Sequence, residues 1–460
     1  MTCLLPFRTM AKNICCLLLF MLPYLAGAQH VGIGTLSPVA RLHVEDSSVL
    51  FSAAGSTPAQ KGNPPVEGSG RRLMWYADKA AFRVGYVANS NWSGDSIGDY
   101  SIALGYNPRA SGFQSSAIGS SAVSEGREAT SIGSATRAIG RNSLALGQLT
   151  NAYGEAAIAM GFLSSAYGRN AMAFGFNTNS IGYSALSMGR FTTAAGDNST
   201  AIGFQTSANG NYSTSFGYNT YANGYATTAL GIFSDSVVAR QTTISTSTPL
   251  FIIGNGNDYD DRSNALLVRK DGRVGIGTDY PLTTLHVKQV AGAGGIMLEN
   301  LGNGNKWRLY SASGDNNLTF YNNANTEIAD IDDLTGAYTS LSDQRFKKDV
   351  LPLGSVLPNL LKLVPSRYHF NWQQSNESSE IGMIAQHTYA LFPELVSYDK
   401  ENDIYKMNYA GFSTVAIKAI QEQQALIKTL QEEVNAQKAT AAQMQAEIME
   451  IKKLLKSGGE

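Results

Sequence analysis

The sequence predicts a mainly β protein in which a repetitive β-roll fills the middle third and a long helix ends the chain. Glycine stands at every seventh residue from Gly98 to Gly231, twenty times without exception. Alanine or serine stands two positions before each of these glycines. Near the end of the chain, apolar residues recur at every seventh position. The first two observations predict the roll, and the third predicts the helix.

The roll is expected to repeat every fourteen residues, and each repeat consists of two different seven-residue segments. In one segment the residue before glycine is large and apolar, as at Leu104 and Leu230, whereas in the other segment this residue varies freely. A glycine in each heptad would cost a helix about 1 kcal/mol every two turns, which argues against a coiled coil here. A low-complexity linker would not keep a large apolar residue in phase. We predict a solenoid with glycine in positive φ at each corner, small side chains inside, and the large apolar residue completing the core.

The core of such a roll is thin. One large side chain per fourteen residues does not offset a chain entropy of about 1–2 kcal/mol per residue, so we expect several chains to pack together. Over residues 98–233 the pattern resembles the head repeats of trimeric autotransporter adhesins of the YadA type. The resemblance implies a left-handed parallel β-roll with three identical chains side by side, that is, a homotrimer.

The first 28 residues have the pattern of a signal peptide. Arg8 and Lys12 supply the positive start, residues 14–22 form an apolar run, and Ala26–Ala28 offers a small-residue cleavage site. An N-terminal membrane anchor is the less favoured alternative, because the run is too short to span a bilayer. All three cysteines lie in this segment: Cys3, Cys15 and Cys16. We therefore expect export with cleavage after Ala28, a secreted or cell-surface location, and a mature chain without disulfides.

Irregular β modules are expected on both sides of the roll, over residues 29–97 and 234–341. One motif occurs twice, as Val31–Val44 and Val274–Val287, with nine identities in fourteen positions. It predicts a duplicated strand–turn–strand element. Each copy contains one histidine between apolar neighbours, so no metal or cofactor site is predicted. With a net charge of −1 and 15% charged residues, the chain has no feature that favours nucleic acid or an anionic membrane as partner.

The end of the chain, residues 413–460, predicts a parallel coiled coil. Apolar residues occupy one seam at a spacing of seven, with mixed apolar and glutamine residues on the other. The first seam is Ile420, Ile427, Val434, Ala441, Ile448 and Leu455, and the second is Gln423, Leu430, Gln437, Met444 and Ile451. This composition is compatible with three strands, whereas an isolated amphipathic helix on a globular surface is the alternative. No integral membrane anchor is expected.

A short polar string, Ser342-Asp343-x-Arg345-x-Lys347, lies between the β modules and the coiled coil. It and the residues that follow resemble the endosialidase-type C-terminal intramolecular chaperone, a small α+β domain expected here over residues 342–412. The supporting stretches are Leu360–Trp372, Ile381–Gln386, Phe392–Val396 and Lys406–Tyr409. The resemblance implies a self-cleaving serine peptidase with Ser342 as nucleophile and Lys347 as base. The scissile bond would then join Leu341 to Ser342, with Asp343 and Arg345 in support.

The chemistry of this pair sets its own conditions. A serine hydroxyl is a weak nucleophile until a base takes its proton, and lysine is a base only when it is neutral. Burial or a nearby cation such as Arg345 would have to lower the pKa of Lys347. Because side chains five residues apart meet poorly on a strand or a helix, a turn or a neighbouring chain must bring them together. The alternative is that Ser342 and Asp343 merely cap a helix.

These expectations combine into an exported, trimeric, adhesin-like surface fibre whose C-terminal chaperone drives trimerisation and then cuts itself off. The head would take a host, matrix or glycan ligand. The alternative is a tail-spike-like fibre that binds or degrades glycans, which would need two carboxylates held about 5–9.5 Å apart. The acidic residues of the roll instead occupy different positions within the repeat: Asp99, Glu125, Glu128, Glu155 and Asp197.

Overall fold

A computed structural model of the 460-residue chain describes residues 30–237, 239–289, 294–311, 314, 316–374 and 376–457. The expected signal peptide, residues 1–28, lies outside the described residues. The chain divides into two compact units, residues 1–338 and 339–460. The first unit is almost entirely β-structure, and the second combines short strands with helices.

The first unit opens with two pairs of strands. They are β1 (Val31–Ile33), β2 (Leu42–Val44), β3 (Gly70–Tyr76) and β4 (Ala81–Val87). Strands β1 and β2 form a parallel pair, as the first copy of the duplicated motif predicts. Strands β3 and β4 form an antiparallel hairpin, and β4 then pairs in parallel with the first strand of the roll.

Each fourteen-residue coil of the roll contributes one five-residue strand and one two-residue strand. The longer strands are β5 (Ile102–Tyr106), β7 (Ser116–Ser120), β9 (Thr130–Ser134), β11 (Leu144–Gln148), β13 (Ile158–Phe162), β15 (Met172–Phe176), β17 (Leu186–Arg190), β19 (Thr200–Phe204), β21 (Thr214–Tyr218) and β23 (Thr228–Ile232). The shorter ones are β6 (Arg109–Ala110), β8 (Val123–Ser124), β10 (Arg137–Ala138), β12 (Asn151–Ala152), β14 (Ser165–Ala166), β16 (Asn179–Ser180), β18 (Thr193–Ala194), β20 (Ser207–Ala208) and β22 (Tyr221–Ala222). Neighbouring coils pair in parallel with a register of fourteen, as at Ala145↔Ala159, which confirms the predicted period.

The interior of the roll is narrower than the sequence suggested. Small side chains fill it completely, and Ala145, Ala152 and Thr150 are 0% exposed. The expectation that the large apolar residue before glycine completes this core is wrong. Because successive side chains of a strand point to opposite faces, an inward Ala145 places Leu146 on the outer face. Members of this outer row remain accessible, with Met188 41% and Phe216 52% exposed.

The glycines act mainly through close packing, and the expectation of positive φ at every one holds for half of them. Gly147 has a φ of +122°, whereas Gly154, in the other segment of the repeat, lies outside the positive region. A Cβ atom on Gly154 would lie 2.0 Å from the carbonyl oxygen of Gly168 in the next coil. The left-handed corners instead fall two residues after each glycine, on non-glycine residues from Tyr100 to Phe233 with φ between 42° and 60°.

Larger side chains close both ends of this interior. Arg83 on β4 is in register with Ala103 and fully buried. Its guanidinium donates to the carbonyl oxygens of Ser101 and Ala110 at 2.9 and 3.0 Å, and burial lowers its pKa to about 10. At the other end Ile252 and Leu267 are buried on strands that continue the same sheet.

The strands that follow the roll extend the sheet of its five-residue strands to sixteen strands and then form a separate sheet. The continuing strands are β24 (Pro249–Asn255), β25 (Asn264–Arg269), β26 (Val274–Ile276) and β27 (Leu285–Val287). The separate sheet contains an antiparallel meander of β28 (Ile296–Glu299), β29 (Lys306–Ser311), β30 (Leu318–Tyr321) and β31 (Glu327–Ile331). Strand β32 (Tyr338–Ser340) then leads into the second unit.

The second unit is a small α+β domain continued by a long helix. Its elements are α1 (Leu357–Leu360), β33 (Ser366–Tyr368), β34 (Glu380–Gly382), α2 (Ala385–Tyr389), β35 (Val396–Asp399), β36 (Ile404–Met407) and α3 (Phe412–Ser457). Its core packs Val356, Phe392 and Leu395 against Val415 and Ala419 of α3. The long helix predicted at the end of the chain is present over Phe412–Ser457, and beyond its first turns it is exposed along its length.

Candidate active site

A tight turn at the start of the second unit organises the predicted site. Residues Gln344–Phe346 form a single turn of 3₁₀ helix, and Asp343 is its N-cap. The Asp343 carboxylate accepts a hydrogen bond from the backbone N–H of Arg345 at 2.8 Å. An aspartate at this position satisfies an amide that the turn leaves without a partner. The turn reverses the chain between Ser342 and Lys347.

The two predicted catalytic side chains meet across this turn. Lys347 Nζ donates a hydrogen bond to Ser342 Oγ, with 2.7 Å between the two atoms. The spacing of five residues required either a turn or a neighbouring chain, and a turn within one chain brings the pair together. Ser342 and Lys347 are both exposed, and Leu341 before them is 40% exposed. The peptide bond expected to break is thus on the surface of this unit.

The supporting pair clamps the turn. Arg345 Nε lies 3.1 Å from each carboxylate oxygen of Asp343, and Nη2 lies 2.7 Å from Oδ2. These bonds hold the pKa of Asp343 below its ordinary value and raise the pKa of Arg345. The Arg345 charge is therefore paired with Asp343, and its place in this geometry is to stabilise the turn. Asp343 caps the turn while Ser342 and Lys347 contact each other. The capping role predicted as an alternative is therefore compatible with this contact.

A second anchor holds the long helix to the domain. The Glu422 carboxylate on α3 accepts hydrogen bonds from the backbone N–H groups of Val356 and Leu357 and from Ser355 Oγ, each at 3.0 Å. It thereby caps the start of α1, and these bonds lower the pKa of Glu422. Sequence reasoning missed this residue, because it lies more than sixty positions from the amides that it caps.

The described residues give two further results that bear on function. None of the helices in this part of the chain has the length and hydropathy that a membrane span requires. Nor do the described His, Cys, Asp and Glu side chains form a group of three or more that could hold a metal ion.

Comparison with known families agrees with this architecture. Residues 110–234 match the YadA head domain repeat in five overlapping or adjacent segments: 110–136, 138–164, 152–178, 180–206 and 208–234. Residues 342–397 match the chaperone of endosialidase, a segment that begins at Ser342 itself. No curated protein matches the chain. The chain therefore joins YadA head domain repeats to a chaperone-of-endosialidase domain.

Proposed function

We propose that this protein is an exported homotrimeric fibre with an adhesive head, and that its C-terminal chaperone cuts itself off between Leu341 and Ser342. The observation that carries the proposal is the 2.7 Å contact between Lys347 Nζ and Ser342 Oγ. It lies at the first residue of the chaperone match, directly after the bond expected to break. The head repeats support the adhesive role, and export would bring the fibre to the cell surface or the medium.

Outward apolar side chains support the trimer. In the roll they form a row at a spacing of fourteen residues: Leu104, Ile118, Ile132, Leu146, Met160, Phe174, Met188, Ile202, Phe216 and Leu230. Monomeric soluble proteins rarely expose an apolar patch that runs the length of a domain. On α3 both apolar seams are exposed, with Ile427 at 46% and Leu430 at 57%. Packing three chains along both surfaces would remove this area from water.

The cleavage is a peptide hydrolysis in two steps. Neutral Lys347 takes the proton of Ser342 Oγ as the oxygen attacks the carbonyl carbon of Leu341. The C–N bond breaks, the Ser342 nitrogen gains a proton, and an ester joins Leu341 to Ser342 Oγ. Water then hydrolyses that ester. The products are a carboxylate on Leu341 and a free α-amine on Ser342, and no cofactor or metal enters the balance.

Assembly is the proposed trigger. Three apolar side chains in the turn and just after it are exposed in the single chain: Phe346 at 62%, Val350 at 71% and Leu351 at 84%. A neighbouring protomer that covered them would also bury the turn and exclude water from Lys347. Burial disfavours the charged form of a lysine, which is the change that a general base requires. Cleavage would thus follow correct trimerisation and leave the fibre kinetically trapped.

An aromatic row on the roll is a proposed part of the ligand surface. The Phe191 ring contacts the rings of Phe176 and Phe204, with centroid distances of 5.4 and 6.0 Å. The Arg190 guanidinium lies 5.0 to 5.6 Å from the centres of all three rings. Exposed rings beside a cation can bind apolar faces and anionic groups of a host, matrix or glycan ligand.

The decisive test compares three variants of residues 29–460 with wild type on denaturing gels. Wild type is expected to give two fragments, and N-terminal sequencing should find the smaller one starting at Ser342. Ser342→Ala and Lys347→Ala should both remain intact. Lys348→Ala, which alters the neighbouring lysine, is the matched control and should cleave like wild type. A wild-type trimer that stays in one piece would contradict the proposed cleavage.

A further inference from the structure

The two copies of the duplicated motif fold alike. In the first, the Val31 N–H donates to the carbonyl oxygen of Arg41 at 2.6 Å, and the Glu45 N–H donates to that of Ile33 at 2.8 Å. In the second, the Val274 N–H donates to the carbonyl oxygen of Thr284 at 2.7 Å, and the Lys288 N–H donates to that of Ile276 at 2.8 Å. The parallel registers also agree, with Val31↔Leu42 matching Val274↔Leu285. The strand that pairs with the second copy therefore indicates what kind of strand the first copy can bind.

The copies differ at one strand edge. Strand β26 pairs on its other side with β25, in the antiparallel register Leu266↔Ile276, Leu267↔Gly275 and Val268↔Val274. In the part of the chain that the structure describes, the equivalent strand β1 pairs with β2 alone. A two-stranded sheet is marginal in water, and its open edge presents backbone groups that seek partners. Val31 and Ile33 on this edge strand are 55% and 49% exposed.

An apolar segment with the right pattern lies nearby without a strand partner. Residues 48–54 form no regular secondary structure, and Val49, Leu50 and Phe51 are 58%, 84% and 68% exposed. The template segment, Leu266–Val268, is likewise three apolar residues in succession, and its central Leu267 is fully buried. Pairing Leu50 opposite Gly32 would reproduce Leu267 opposite Gly275. The pairing would give the backbone groups on the open edge of β1 the same kind of partner that β26 has in β25.

Within one chain the segment is held away from this edge. Asp46, the second residue after β2, has a left-handed φ of 51° that turns the chain. Beyond Phe51, residues 53–58 line a cavity with Trp75 and Tyr100 next to the first coil of the roll. Thr57 Oγ1 lies 3.4 Å from the Tyr100 hydroxyl. The apolar segment is thus presented outward between two anchored stretches, while the strand edge that matches it stays open.

We propose that Val49–Phe51 of one protomer adds as an antiparallel strand to β1 of a second copy of this chain. The register would be Val49↔Ile33, Leu50↔Gly32 and Phe51↔Val31. Around a three-fold axis this exchange links each N-terminal module to the next, closes a ring of three chains and covers the free edge of each β1. The inference rests on the proposed trimer, and it adds a second contact between chains in the N-terminal module.

Disulfide trapping tests this register, because residues 29–460 contain no cysteine. An equal mixture of Ile33→Cys and Val49→Cys chains, co-expressed and oxidised, should give a disulfide-linked dimer on non-reducing gels. The double variant should give linked dimers and trimers. Leu36→Cys combined with Val49→Cys is the matched control, since Leu36 is fully exposed but outside the register, and it should stay unlinked. Each single variant alone should run as a monomer.

The outcomes separate this inference from the proposed function. A protein that sediments as a trimer but yields no mixed dimer would overturn the strand exchange and leave the trimer standing. A double variant linked only within one chain would also overturn it. A wild-type protein that sediments as a single chain would overturn both. Hydrogen exchange on unmodified protein guards against misfolded variants: residues 30–34 and 48–52 should be protected together in the trimer, and fast exchange in both segments would contradict the pairing.

Discussion

The roll and the long helix α3 share a sequence period of seven and use it in opposite ways. In the roll the periodic residue is glycine, and each coil hydrogen-bonds to the next within one chain. In α3 the periodic residues are apolar, and of its 46 residues only Val415 and Ala419 are buried in the single chain. The period alone therefore does not define the element. The residue type that repeats decides whether the periodic face packs against the next coil of the same chain or stays exposed, as on α3.

This difference predicts two kinds of failure. The roll depends on close contact between successive coils, so a single added carbon should damage it locally. In the proposed trimer the helix would share its exposed apolar area with other chains, so a polar residue in its seam should break assembly while its helical structure persists. Three experiments sharpen this comparison, from the largest expected effect to the smallest.

Gly154→Ala should cause the largest loss of stability. The new Cβ would lie 2.0 Å from the Gly168 carbonyl oxygen, so backbone must shift, at a cost of about 3 kcal/mol. Gly354→Ala is the control in the other unit, because no atom lies within 4 Å of its added Cβ. Thermal unfolding followed by the β-sheet circular dichroism signal measures both. Equal unfolding temperatures for the two variants would mean that coil spacing does not require glycine.

Ile427→Asp should weaken association of the chains. In a three-stranded coiled coil it would bury three carboxylates in one layer, at a cost of at least about 2 kcal/mol per chain. Ala439→Asp adds the same charge at an outward position of the same helix and serves as the control. Sedimentation equilibrium should show dissociation for Ile427→Asp alone. If both variants associate like wild type, the exposed seam is not the contact between chains.

Glu422→Gln should have the smallest effect, confined to the second unit and dependent on pH. The folded pKa of Glu422 is below its ordinary value of about 4.3 because the backbone amides of Leu357 and Val356 bond to its carboxylate. Its stabilising contribution is therefore present above that ordinary value, and it is lost as the pH falls through the lowered folded value. Wild type should lose stability on acidification more steeply than Glu422→Gln. Parallel pH profiles of unfolding temperature would contradict this role for the carboxylate.

Sequence reasoning reached the candidate site but not its setting. The motif from Ser342 to Lys347 identified both side chains, and their spacing required a turn or another chain. That the turn is local depends on Asp343 capping it and on the pairing of Asp343 with Arg345. From the sequence, Arg345 was one candidate, beside burial, for a group that acts on Lys347, because a charge pattern does not reveal which group a guanidinium faces. The role of Glu422 was not predicted, because the amides that it caps are distant from it in the sequence.

By itself the sequence determined the repeat, its fourteen-residue register, the strand character of the coils and the long C-terminal helix. These follow from local spacing and from side-chain size, which one chain carries along its length. Only the tertiary structure decided that Leu146 points outward, that left-handed corners fall two residues after each glycine, and that Lys347 Nζ reaches Ser342 Oγ. The direction of a side chain and the path of a turn depend on what packs against them, and those neighbours are brought close only by folding.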